Sequence, residues 1–145
     1  MAMVIEASEA NAAANLLGVR ISNGRDVVSH VRVGLPPSAL RKISKKLNVT
    51  HAVLALALNI LERTLMRRFK QKGLPQHESD RLYRIARMLS SATATLGGEA
   101  KAARWLVAEN RALGSVVPLQ MLDTEAGARE VETILGHMKY GDTFV

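Results

Sequence analysis

Apolar residues recur along most of this chain at spacings of three and four, the period that gathers them on one face of an α-helix. The signal is weak at the start. Residues 8–17 are alanine-rich and suit a short helix, Asn23-Gly24 reads as a turn, and Asp26 can cap a helix that closes at Val33 before Gly34 and Pro36-Pro37. From Pro37 the pattern sharpens. Over 38–47, Leu40, Ile43 and Leu47 share a face, while Arg41, Lys42, Lys45 and Lys46 lie off it. Thr50 can cap a helix over 51–58, Asn59 breaks the run, and 61–70 forms the next helix before Gly73-Leu74-Pro75. A longer helix is predicted over 78–96, with Leu82, Ile85, Ala86, Leu89 and Leu96 as its buried stripe and Gly97-Gly98 as its stop. There follow a helix over 99–108 carrying Trp105, a bend at 110–114 and a short turn opened by Pro118. Thr124 can cap the last helix, whose stripe is Val131, Ile134, Leu135 and Met138 and whose stop is Gly141.

The fold class is therefore all-α, in three parts. Residues 1–33 form an N-terminal segment, with 1–25 expected to be partly frayed or used in self-association. Residues 34–77 form a helix-turn-helix region, and 78–145 a second small helical domain. Composition agrees: 48% of residues are hydrophobic but only 3% aromatic, a mix that supplies a core and favours helices over sheets. No apolar run approaches the roughly 20 residues that span a bilayer, and no basic stretch leads into an apolar one near the start. A cytoplasmic protein with no membrane partner is expected. The absence of cysteine excludes disulfides, cysteine zinc sites and thiol catalysis.

Charge changes the picture more. Residues 1–95 hold 15 Lys/Arg against 6 Asp/Glu, whereas 96–145 hold 5 against 7. A basic front suits a polyanion and a mildly acidic back suits something else. The positive charge is densest from Arg41 to Lys72, with nine basic residues and one acidic residue, Glu62. Residues 51–70 also have helix-turn-helix spacing. Ala55 is small where two helices must approach, Asn59 tolerates the positive φ of a tight turn, and Leu54, Leu58, Ile60 and Leu65 can lock the pair. The second helix then offers Arg63, Thr64, Arg67 and Arg68 to DNA, where arginine can pair bidentately with guanine. Lys46, Lys70 and Lys72 suit phosphates. A solvated basic face on a core hairpin is the plainer alternative.

No catalytic constellation emerges. His30, His51, His77 and His137 are too scattered for a metal site, and Gly97-Gly98 lacks the Lys-Ser/Thr of a phosphate loop. Ser90-Ser91 have no evident base, and Asp123 and Glu125 are explained by capping and the helix dipole. An enzyme is not expected, nor any cofactor or metal.

The second half carries, in order, ESDRL, ARWL, NRALG, PL, L-TEAGA-EV and YG. In this succession the chain resembles the Xre/MbcA/ParS family of antitoxins, from about Gly34 onward and most strongly from Ser79 to Gly141. The upstream ILERTLMRRFK is similar to that family's recognition segment. Two positions depart from the family pattern, which usually has Pro at Glu109 and Gly at Ser115. The resemblance implies a partner toxin of the RES type, which attacks NAD. It further implies that the C-terminal domain obstructs the toxin's site and that the middle of the chain binds its own operator. Arg104, Trp105, Asn110, Arg111, Tyr140, Asp142, Phe144 and Val145 are compatible candidate toxin contacts, and the aromatic tail from Tyr140 to Val145 has the toxin cleft, the antitoxin dimer or its own domain as places to dock. Trp105 can equally be a core residue, and Asn110 can simply fix the bend. Two small modules must act together for tight operator binding, so a homodimer on an inverted repeat is expected. Competing readings are a plain transcription regulator whose C-terminal domain only dimerises or binds another partner, and an adaptor that binds no DNA.

Overall fold

The computed structural model describes residues 2–140, with side chains from Glu9 onward. Among them are eight α-helices: α1 (Ala2–Leu17), α2 (Gly24–Val33), α3 (Pro37–Leu47), α4 (His51–Leu58), α5 (Glu62–Arg68), α6 (Gln76–Leu96), α7 (Glu99–Val107) and α8 (Glu125–Lys139). Two 3-10 turns, Arg111–Leu113 and Pro118–Asp123, lie between α7 and α8. None of these helices is long and apolar enough to cross a membrane.

The longest described helix, α6, is the spine. Helices α1, α2, α7 and α8 all pack on it, α3 fills the space beside α1 and α7, and α4 rests on α5 and the Pro118–Asp123 turn. One buried cluster runs from Ala13 in α1 to Leu135 in α8, taking in Leu40, Leu54, Leu65, Ile85 and Leu106 on the way. The helix-turn-helix and the C-terminal helices thus share a single core.

The described part of the N-terminal segment, expected to be partly frayed or used in self-association, packs on the rest of the chain. Where fraying is expected, Ala13 and Leu17 are fully buried, and Ala10, Ala14, Ile21 and Val27 form a small second cluster joining α1 to α2. The cap of α2 is Asn23, whose side chain accepts from the Arg25 and Asp26 amides at 2.9 and 3.1 Å. Asp26 instead sits in the first turn and accepts from the Ser22 amide at 2.8 Å. Helix α6 starts two residues earlier than expected, directly after Pro75, and α5 ends two residues earlier, at Arg68. Met138 is exposed rather than part of the α8 stripe.

Two glycines permit close approach. Gly34 ends α2 at φ 108°, and a Cβ there would fall on the carbonyl oxygen of Leu74. That contact accompanies a cross-tie in which the Leu74 amide donates to Leu35 O at 2.9 Å and the Leu35 amide donates to Ser79 Oγ at 2.8 Å. The segment before α3 is thereby fastened to the start of α6. At Gly127, in the first turn of α8, a Cβ would overlap the Met121 carbonyl, so only glycine lets α8 meet the preceding turn.

Candidate functional site

Helices α4 and α5 form a tight helix-turn-helix. Thr50 Oγ1 accepts from the Val53 amide at 3.3 Å and starts α4. Its inner face buries Leu54, Ala55, Ala57 and Leu58. Asn59 turns the chain at φ 56°, and the Asn59 and Ile60 amides return to the carbonyls of Leu56 and Ala55, both at 3.0 Å. Arg81, from α6, donates to Leu58 O at 3.0 Å and satisfies another carbonyl at the end of α4. Leu61 is the N-cap of α5 and offers no side-chain acceptor. Leu65 anchors α5 in the core, while Leu61, Glu62, Arg63, Met66, Arg67 and Lys70 are exposed and Thr64 is half-buried.

Not every basic residue of this region is available. Arg68, expected among the DNA contacts, is a structural residue: Nε and Nη2 both lie 2.7 Å from the carboxylate of Glu78, which is buried at the start of α6. Hydrogen bonding to Glu78 raises the Arg68 pKa above its already high ordinary value, against the opposing effect of burial, so the guanidinium stays charged. Periodicity alone places Arg68 outside, because it cannot show a carboxylate arriving from beyond a loop. Lys46 also has a partner, Glu99 at 3.0 Å, which ties α3 to α7 and leaves its ammonium part-exposed. Arg41 donates to Phe69 O at 3.1 Å and lies over the Phe69 ring, closing the end of α5. Lys70 and Lys72 are exposed, as are Lys42 and Lys45. The surface around α5 remains strongly positive, with Arg63 and Arg67 at its centre.

The candidate toxin contacts fall in two places. Arg104 is exposed near the end of α7, and Trp105 is half-buried, one side packed on the core. Asn110 fixes the bend that follows: its Oδ1 accepts from the Ala112 amide at 2.9 Å, and its backbone bonds to Ser115 and Val116. Arg111, next to it, is exposed. Tyr140 stands apart at the end of α8, 78% exposed, on the rim of a groove of about 760 Å³ between α1, α6 and α8. None of the residues lining that groove comes from α7 or the bend. Asp142, Phe144 and Val145 lie outside the described residues.

The chain matches two family models, an Xre-like helix-turn-helix domain over residues 26–87 and an Xre/MbcA/ParS C-terminal toxin-binding domain over residues 91–141. It is 32% identical to the antitoxin Xre of Photorhabdus laumondii over 127 residues, 86% of each chain. The chain belongs to the Xre antitoxin family. The antitoxin Xre of Yersinia enterocolitica is 29% identical over 127 residues, again 86% of each chain, and that of Pseudomonas putida is 39% identical over 74 residues, 50% of this chain and 46% of its own. The protein is an antitoxin of a toxin–antitoxin system with a DNA-binding helix-turn-helix.

The ion pairs that seat this antitoxin's C-terminal helices were not read from sequence. Arg84 bonds Leu122 O at 2.9 Å and pairs with Asp80 and Glu125 at 3.1 and 3.2 Å. Arg87 lies 2.9 Å from Glu132 and 3.6 Å from Glu125, an ionic contact without a well-aligned hydrogen bond. Glu125, read as a dipole partner alone, therefore also bridges α8 to α6. The spacing of Arg81, Arg84 and Arg87 along one helix was the available signal. Tyr83, between them, is half-buried, and burial raises its phenol pKa, with Arg87 acting in the opposite direction.

Proposed function

We infer that this antitoxin neutralises a RES-type, NAD-degrading toxin by obstructing its active site and represses its own operon as a homodimer on an inverted repeat. The observation that carries the toxin half is the ordered run of motifs from Ser79 to Gly141, lying on a matched toxin-binding domain at 91–141. Arg104, Trp105 and Arg111 supply exposed cations and a part-exposed aromatic in one stretch of chain, a combination enriched among residues that dominate interfaces. Asn110 holds the bend that displays them. Tyr140, with Asp142, Phe144 and Val145 beyond it, forms the second contact.

On the DNA side, Arg63 and Arg67 read bases, Thr64 supports them, and Lys70, Lys72 and the part-exposed Lys46 neutralise phosphates. One such module covers little DNA, so two copies bind half-sites about one helical turn apart or a multiple of it. Footprinting on the DNA upstream of the gene will show paired protected half-sites; one unrepeated half-site with a monomer bound would contradict the dimer.

Co-purification of the untagged toxin from the adjacent reading frame with tagged antitoxin tests the toxin half. Deleting residues 142–145 separates plugging from anchoring. A plug predicts that the complex persists while protection from NAD loss falls. Undiminished protection would remove the tail from the mechanism, and loss of the complex itself would make the tail an anchor.

A further inference from the structure

Helix α5, which carries Arg63 and Arg67, has two large apolar side chains with no visible reason to be in water: Leu61 at its N-terminal end and Met66 on the face of the two arginines. Leu61 is 61% exposed and Met66 is 44% exposed. Leu61 is the more telling. It occupies the N-cap of α5, where Ser, Thr, Asp or Asn would accept from a free amide of the first turn, and leucine offers no acceptor. The position therefore forgoes stabilisation inside the molecule and exposes a hydrophobic group at the end of the helix that leads into a groove. Met66 lies one turn further along. At 100° per residue it shares an outward arc with Arg63 and Arg67, while Leu65 points into the core, and the exposed Lys70 follows the end of the helix. Apolar and cationic groups thus lie side by side on a surface whose one exposed acidic residue in α5 is Glu62.

In the major groove, one base-pair feature is apolar: the 5-methyl group of thymine. We propose that Leu61 and Met66 are specificity-determining residues that pack on thymine methyls beside guanines read by Arg63 and Arg67. The operator half-site then contains T next to G, with the methyls as much a part of the code as the guanine edges. This inference rests on the assignment of α5 as the helix that reads DNA. The positive charge of Arg63, Arg67, Lys70 and Lys72 favours DNA over a protein partner as the occupant of this face.

The test uses the full chain and a duplex selected from random sequence. The duplex is resynthesised with uracil at every thymine, which removes the methyls and keeps each hydrogen-bonding edge. The wild type should bind the uracil duplex about fourfold more weakly for each methyl contacted, the worth of burying one methyl-sized group. Leu61→Ser with Met66→Gln should bind the thymine duplex more weakly and no longer distinguish it from the uracil duplex. Both positions are exposed, and Leu61→Ser restores a cap, so the variant stays folded; thermal melting checks this. Equal binding of both duplexes by the wild type overturns the proposal, as does full thymine preference in the variant. A changed oligomeric state in the variant with thymine preference intact would assign the face to protein contact and overturn it too. Failure to select any duplex would overturn the DNA-reading assignment itself, and this inference with it.

Discussion

At the scale of single residues, Arg68 separates two roles that look alike in sequence. Arg63, Arg67 and Arg68 all follow Glu62 on a seven-residue helix, yet only Arg68 meets a buried carboxylate. Arg68→Ala leaves Glu78 buried without its partner and should destabilise the fold by about 3–5 kcal/mol. Arg63→Ala should leave the melting temperature unchanged and reduce specific DNA affinity by about 1–3 kcal/mol. Denaturation and mobility-shift measurements on the same two variants check this. A stable Arg68→Ala protein that has lost only DNA binding would return Arg68 to the reading surface. Ser115 is the other informative residue. It stands at φ 65° beside Gly114, also at positive φ, in the bend held by Asn110. A serine side chain is strained there and glycine is not, so Ser115→Gly should stabilise the fold by about 0.5–1 kcal/mol after the added freedom of the unfolded chain is counted. Gly127→Ala should do the opposite, costing about 1–3 kcal/mol, because its Cβ meets the Met121 backbone rather than a movable side chain. Thermal melting of the two variants decides both signs. The sequence gives no hint of the backbone clash at Gly127, while the mismatch at Ser115 is legible as a family glycine replaced by serine.

At the scale of elements, strong periodicity was readable and weak periodicity was not. The stripe of α6 and the caps Thr50 and Thr124 follow directly from residue type and spacing. Helix α1 is legible only as a short helix over 8–17, and its packing is not, because its described buried residues are mostly alanines. Ala10, Ala13 and Ala14 contribute close approach to α6 and α2 rather than bulk, so they leave little mark on an apolar pattern. Shared use of α6 has a consequence for dissection. A fragment beginning at residue 78 contains most of α6 but loses α1, α2 and α4, which cover it, and Arg68, which neutralises Glu78. Such a fragment should be largely unfolded, with low helicity by circular dichroism and no cooperative melting transition. A cooperatively folding fragment would show that α7, α8 and the turns between them suffice to cover the apolar side of α6.

At the scale of the whole molecule, uneven charge was the most useful clue in the composition. A basic front and a mildly acidic back correspond to a helix-turn-helix and a toxin-binding domain built on one core. What the sequence could not show is which charges face outward. Lys46, Arg68, Arg81, Arg84 and Arg87 all hold helices together, and each finds its partner on another element. Cellular NAD reports most directly on what the toxin does and on whether this chain stops it. NAD is to be measured after induction of the adjacent toxin gene, alone and together with this chain. NAD should fall rapidly with the toxin alone and be sustained when the antitoxin is present. A toxin that arrests growth while NAD stays constant, and that this chain nonetheless rescues, would contradict the assignment of an NAD-degrading partner.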